Sequence, residues 1–220
     1  MFRGYFAKDN PGLMFSRFPL LSFVLLSGTS LNAQETTDTS GNWTFGASGY
    51  YYVVPGEQNT LTFITTADRG RFHMEGRFNY EDRNTASLFG GYTLSWGNKL
   101  RLEATPMLGI AFGQTNGLVP AIEWTLSWRK LEYYAETEAV LDFTGEENWF
   151  LYTWGTLSIQ AFRNFQTGFV YQRTRLYNSD YSIQKGCYAA YSFKSLTPGL
   201  YYFNPFTASG LLVVSLSVNF

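Results

Sequence analysis

Between residues 71 and 82 apolar and polar side chains alternate one by one. Phe72, Met74, Gly76, Phe78 and Tyr80 fall on one face, and His73, Glu75, Arg77, Asn79 and Glu81 on the other. A period of two is that of a β-strand with unlike faces. Residues 99–112 repeat it, with Leu100, Leu102, Ala104, Pro106, Leu108, Ile110 and Phe112 opposite Arg101, Glu103 and Thr105. Residues 119–129 set Pro120, Ile122, Trp124, Leu126 and Trp128 against Glu123, Thr125, Ser127 and Arg129. In residues 131–143 the polar face is acidic: Glu132, Glu136, Glu138 and Asp142. Short polar breaks at 68–70, 97–98, 129–130, 163–164 and 194–195 recur about every thirty residues, the spacing of one hairpin. A second set lies between them, at 55–59, 82–84, 113–117, 144–147, 178–180 and 204–207. These eleven connections predict twelve strands, an even number that brings both chain ends to one side.

A soluble antiparallel sandwich alternates in the same way, with its apolar face turned to the core. Three features favour an all-β transmembrane up-and-down barrel with short loops on both sides. The segments are roughly ten or more residues long, as tilted spanning strands require. Trp96 and Trp128 stand just before breaks, where an interfacial aromatic girdle belongs, and Tyr50, Tyr51, Tyr52, Phe143, Trp149, Phe150 and Tyr177 would supply the opposite girdle. The N-terminus reads as an export signal: Arg17, a short apolar core over residues 18–26, and small residues leading to Ala33. Residues 1–33 are therefore read as a signal peptide, with translation starting at Met14. Residues 34–41 follow as a short periplasmic segment and 42–220 as the barrel.

Composition agrees with a barrel. The chain is 19% aromatic and 15% charged with 21 glycines, and after the N-terminus no apolar run approaches the roughly 18 residues of a spanning helix. A formal net charge of -1 offers no footprint for nucleic acid, which is dropped as a partner. Cys187 is the single cysteine, so no intramolecular disulfide can form.

Residues 210–220 close the chain with Leu212, Val214, Leu216, Val218 and Phe220 alternating with Val213, Ser215, Ser217 and Asn219. A terminal Phe on such a strand resembles the assembly signal of bacterial outer-membrane β-barrel proteins. The resemblance, confined to this class and this strand, implies an outer-membrane location, a small porin-like barrel, and recognition of Phe220 by the barrel-insertion machinery. With an even strand count both termini are periplasmic, and the last strand closes the barrel against residues 42–54.

Candidate chemistry is sparse. His73 is the only histidine; by parity it points into the lumen, as a solvated or hydrogen-bonded side chain rather than a catalytic base. No His and Cys cluster has metal spacing, and no metal, cofactor or enzymatic activity is expected. The connections look too short for an adhesive head, a lid or an inward-folded constriction. Function is left to the lumen, where Glu75, Arg77, Arg101, Glu103, Glu123, Glu136 and Glu138 are the lining residues to which selectivity is assigned, with Glu81, Glu132, Asp142 and Arg129 beside them. Two readings stay open: a passive path for small polar solutes with a mixed-charge, acidic-leaning lumen, or a salt-bridged plug in a structural or lipid-interacting barrel. An outer-membrane enzyme is a third. Arg101 and Glu103 adjoin Glu123 and Arg129 if neighbouring strands pair as hairpins, which favours a plug; the acidic residues 132–142 have fewer partners in their own hairpin, which favours a wet path. Arg173 and Arg175 share lipid-side parity and can reach lipopolysaccharide phosphates, although a bulge would turn them to the lumen.

Overall fold

The alternating segments form strands in the computed structural model, which describes residues 41–55, 58–176 and 182–220. They are β1 (Thr44–Val53), β2 (Thr60–Arg69), β3 (Phe72–Phe78), β4 (Thr85–Tyr92), β5 (Leu94–Trp96), β6 (Leu100–Gly113), β7 (Gly117–Trp128), β8 (Leu131–Asp142), β9 (Phe150–Phe162), β10 (Phe165–Leu176), β11 (Ser182–Tyr191), β12 (Leu196–Phe203) and β13 (Leu211–Asn219). Every neighbouring pair is antiparallel. β4 and β5 are two pieces of one strand, both paired to β6 and separated at Thr93, so the barrel has twelve staves. The expected signal peptide and the 178–180 connection lie outside the described residues.

Closure is made by the last strand. Gly46 through Val53 pair with Asn219 back to Leu212, and Phe45 and Phe220 exchange backbone hydrogen bonds of 2.8 and 2.9 Å. The sheet is thereby closed on itself, which is what allows it to sit in a medium that offers its backbone no hydrogen bonds. Both described chain ends and the tight turns after β2, β5, β7, β9 and β11 share one end, called here the near end. Gly70 and Gly97 take positive φ in two of these turns, as tight hairpins demand, and Arg129 and Lys194 accept the same left-handed conformation in two others.

Burial runs opposite to that of a soluble sandwich. Leu88, Leu108, Ile110, Phe169, Val214 and Leu216 are exposed on the outside, whereas Glu75, Arg77, Glu136 and Glu138 are buried inside. An apolar outer belt with charges enclosed is stable only where hydrocarbon, not water, surrounds the barrel. Trp43, Trp96, Trp128, Phe162, Phe193 and Phe220 are exposed around the near end, where a girdle belongs. At the far end Tyr51 and Phe143 face out, but Tyr50, Tyr52 and Phe150 turn inward and are buried, contrary to their placement in a second girdle. Tyr50, Tyr51 and Tyr52 are consecutive on β1, so strand parity lets only the middle one share the outer face.

Candidate functional site

Three strands bring charge into the bore. β3 turns His73, Glu75 and Arg77 inward at every second residue; β8 does the same with Glu132, Tyr134, Glu136 and Glu138, and β7 adds Glu123. β3 and β8 are not neighbours, since β4, β6 and β7 lie between them, so their side chains meet across the lumen. Arg77 is the hub. Its Nη1 donates to Glu138 Oε2 at 2.9 Å and its Nε to Glu75 Oε2 at 2.6 Å. Nη2 lies 2.6 Å from Glu75 Oε2 and 2.9 Å from Glu136 Oε1, in directions too oblique for straight hydrogen bonds, so ion pairing is the attraction there. Glu81 stands 3.8 Å from Nη1. The guanidinium is also held between two rings, with its carbon 4.4 Å from the Tyr80 centroid and 4.1 Å from that of Phe89. The Arg77, Glu81 and Glu136 side chains have 0% accessible surface, so water does not reach this knot.

Part of the knot comes from a connection rather than a strand. β3 stops at Phe78 because Asn79 turns left-handed, with φ of 54°. Asn79 suits this conformation: its side-chain oxygen accepts from the Asn84 N–H at 2.7 Å and its amide donates to the Leu61 carbonyl at 2.9 Å. Tyr80, Glu81 and Asp82 then all fold into the bore and are buried in succession. Tyr80 donates to Glu136 at 3.2 Å, Ser87 to Glu81 at 2.6 Å and Thr115 to Asp82 at 2.8 Å, which fastens the connection to both walls. Around it pack Tyr52, Tyr152, Trp154, Tyr201 and Phe203, all fully buried or nearly so. Among the described residues Glu81 Oε2, Glu138 Oε1, the Tyr52 hydroxyl and Trp154 Nε1 are buried without a hydrogen-bond partner.

Toward the near end the bore is open. Arg101 and Glu103 pair at 2.8 Å with about a third of each side chain exposed, and Asp68 and Glu132 are also accessible. On the floor of this cup His73 is held at both ring nitrogens, Nδ1 lying 2.6 Å from Asp68 and Nε2 2.9 Å from Glu75. Glu123 accepts from the Tyr134 hydroxyl at 2.9 Å. Ligand atoms of His73, Glu75 and Glu123 lie within 4.8 Å of one another, a grouping hidden from chain spacing because Glu123 comes from another strand.

Solved structures share the barrel. A KdgM porin superposes with a TM-score of 0.59 at 12% identity, over 80% of this chain and 99% of that one. A KdgM porin in complex with disordered oligogalacturonate gives 0.56 at 10% identity, covering 80% and 98%. A NanC porin gives 0.54 at 10% identity, with the same coverage. The fold is that of the porins. No family model and no curated protein sequence matches the chain.

In this porin fold the lining residues separate into two groups. Glu75, Arg77, Glu123, Glu136 and Glu138 converge on the knot and the cup floor, and Arg101 with Glu103 sits nearer the mouth. Four expectations need correction. Tyr80 does not share the outer face, because the strand ends two residues before it, and a connection too short to be expected as a constriction folds inward as one. Arg129 does not line the bore: it lies in the turn after β7, exposed, with its guanidinium 5.1 Å from the Trp128 ring centre. Nor does Arg101 face Glu123. Their strands pair with Arg101 opposite Ser127, Glu103 opposite Thr125 and Thr105 opposite Glu123. Asp142 serves the next connection, accepting from the Thr144 N–H at 2.7 Å. Arg173 is exposed on β10 opposite Thr153 and Ile183; the Arg175 side chain lies outside the described ones. Tyr80, Asp82, Thr115, Tyr152 and Trp154 were missed as site residues. The Asn, Asp and Arg crowding of residues 79–84 was the one available signal, since that composition marks a turn.

Proposed function

We propose that this chain is a passive outer-membrane channel for small polar solutes, with both termini periplasmic and the Arg77 knot as its narrowest section. The observation that carries the reading is the inversion of burial: a closed barrel with an apolar belt outside and ionic side chains inside. The near-end cup then opens to the periplasm, and Arg101, Glu103 and Glu132 are met by a solute before the knot. Six carboxyl groups stand around Arg77 and His73, so the path favours cations and neutral solutes over anions. An acidic sugar such as the oligogalacturonate bound by the KdgM porin would meet like charge here. Passage requires the Tyr80–Asp82 connection to swing aside. Phe220 is the handle for the barrel-insertion machinery, and Arg173 and Arg175 are placed to contact lipopolysaccharide phosphates. No catalytic role is assigned to any residue.

Planar-bilayer recording tests this directly. Cation-selective steps are expected from the wild type, larger in Tyr80→Ala, which removes the ring beneath Arg77 and the hydrogen bond to Glu136. Silence from both proteins in several salts would end the channel reading. A second reading, a closed structural or lipid-interacting barrel, is favoured by one observation: the knot admits no water. It predicts that silence, together with unchanged unheated gel mobility showing that the barrel has folded.

A further inference from the structure

On the cup floor His73 and Glu75 each direct one polar atom at the other and have a second secured from outside the group, and Glu123 stands beside them. His73 presents Nε2 inward, while Nδ1 is 2.6 Å from Asp68. Glu75 presents Oε1, while its Oε2 is taken by Arg77 at 2.6 Å. Glu123 brings a carboxylate oxygen to within 4.8 Å of both, and its Oε1 is held by the Tyr134 hydroxyl at 2.9 Å. Asp68, Arg77 and Tyr134 are the type of outer partners that orient metal ligands; Asp68, a carboxylate on the far nitrogen of His73, also raises that ligand's basicity, while Arg77 and Tyr134 favour the ionised forms of Glu75 and Glu123 and fix their direction. All three ligands are more than nine-tenths buried, and the cup is their route to solvent.

We propose that His73, Glu75 and Glu123 bind a divalent transition ion, Zn²⁺ being the best fit to one imidazole nitrogen and two carboxylate oxygens, with the fourth position open to the cup. Zinc bonds of about 2.0–2.2 Å in a tetrahedron place ligand atoms about 3.4 Å apart. His73 Nε2 and Glu75 Oε1 are already closer than that, at 2.9 Å, so the ion parts them slightly while Glu123 draws in. Charge favours the same occupant. Six carboxyl groups, of Asp68, Glu75, Glu81, Glu123, Glu136 and Glu138, face one guanidinium and one imidazole in this part of the bore, and a dication offsets part of that excess. A proton on Nε2 is the competing occupant, so binding weakens as the pH falls. The inference does not depend on conduction, and a sealed barrel would bind the ion equally well.

Zn²⁺ titrated calorimetrically into the full barrel, refolded in detergent after chelator treatment, should bind at one ion per chain. His73→Gln and Glu123→Gln should each weaken binding by about a hundredfold or more, and Tyr134→Phe by about ten- to a hundredfold. Asp142→Asn, which removes an acid from the far end, should leave it unchanged. Unheated gel mobility reports whether each variant is folded. If a ligand variant fails to fold, Co²⁺ in the wild type still decides the matter, because His73 is the only histidine in the sequence and its ring protons must appear as a single paramagnetically shifted set. Absence of that set, no uptake at one equivalent, or equal uptake by folded His73→Gln would overturn the proposal.

Discussion

Replacing Arg77 by Met removes the positive hub and keeps most of its aliphatic volume. Four carboxyl groups now held at 2.6, 2.9, 2.9 and 3.8 Å from its nitrogens would be left facing one another in a space that water does not reach. Two unit charges 4 Å apart interact by about 4 kcal/mol at an effective dielectric constant of 20, so three shorter contacts exceed that before desolvation is subtracted. Because the carboxyl groups stay behind, the relevant quantity is the cost of orphaning buried charges, about 3–5 kcal/mol for one broken pair. Two rings, of Tyr80 and Phe89, also lose their cation, worth up to about 2 kcal/mol when desolvated. A net loss of at least about 3 kcal/mol is expected. Glu138→Gln should cost far less, under about 1.5 kcal/mol: its amide oxygen still accepts from Arg77, and one like charge is removed. Urea unfolding of the barrel in lipid vesicles, followed by the fluorescence of buried Trp154 and by unheated gel mobility, measures both. Equal losses in the two variants, or a loss below about 1 kcal/mol for Arg77→Met, would refute the hub.

Other expectations follow from single contacts. A Cβ on Gly109 would come within 2.4 Å of the Phe89 ring, which itself covers Arg77, so Gly109→Val should cost about 1–3 kcal/mol in the same urea assay, whereas Gly90→Ala, with open space, should be near neutral. Thr115→Val removes the hydroxyl that tethers Asp82; a loss of about 1 kcal/mol and an increased rate of backbone amide exchange at residues 79–84 are expected. Deleting Phe220 removes two closing backbone hydrogen bonds and the ring stacked on Phe45, so the fraction of chain reaching the heat-modifiable form should drop in a vesicle folding assay.

How much of this could be read from residues alone varies along the chain. The strand pattern was plain because a period of two is a local property: the five near-end breaks all fall at turns, and the partner of the last strand follows from an even count. Parity put Glu75, Arg77, Glu136 and Glu138 inside for the same reason. It could not say that Arg77 meets Glu136 and Glu138, because β3 and β8 touch only through the bore and no ladder register links them. Nor could it stop β3 at Phe78. The alternation continues formally through Tyr80, and only the left-handed Asn79, held by its own side-chain hydrogen bonds, diverts the chain inward. His73 shows the same limit: its lumen position was legible, but its neighbour Glu123 comes from a strand fifty residues on.

The side-chain contact between β3 and β8 also has a mechanical meaning. Ladder hydrogen bonds fix the spacing of adjacent staves but leave the outline of the ring soft, able to flatten into an ellipse without losing a single pair. Arg77 acts as a tie rod along a chord of that ring, with three staves on one side and seven on the other. The rod resists spreading of the shorter arc, and lateral pressure from the surrounding bilayer loads it in compression. Tyr80, bonded to Glu136 and edge-on to Tyr152, braces the same chord beside it.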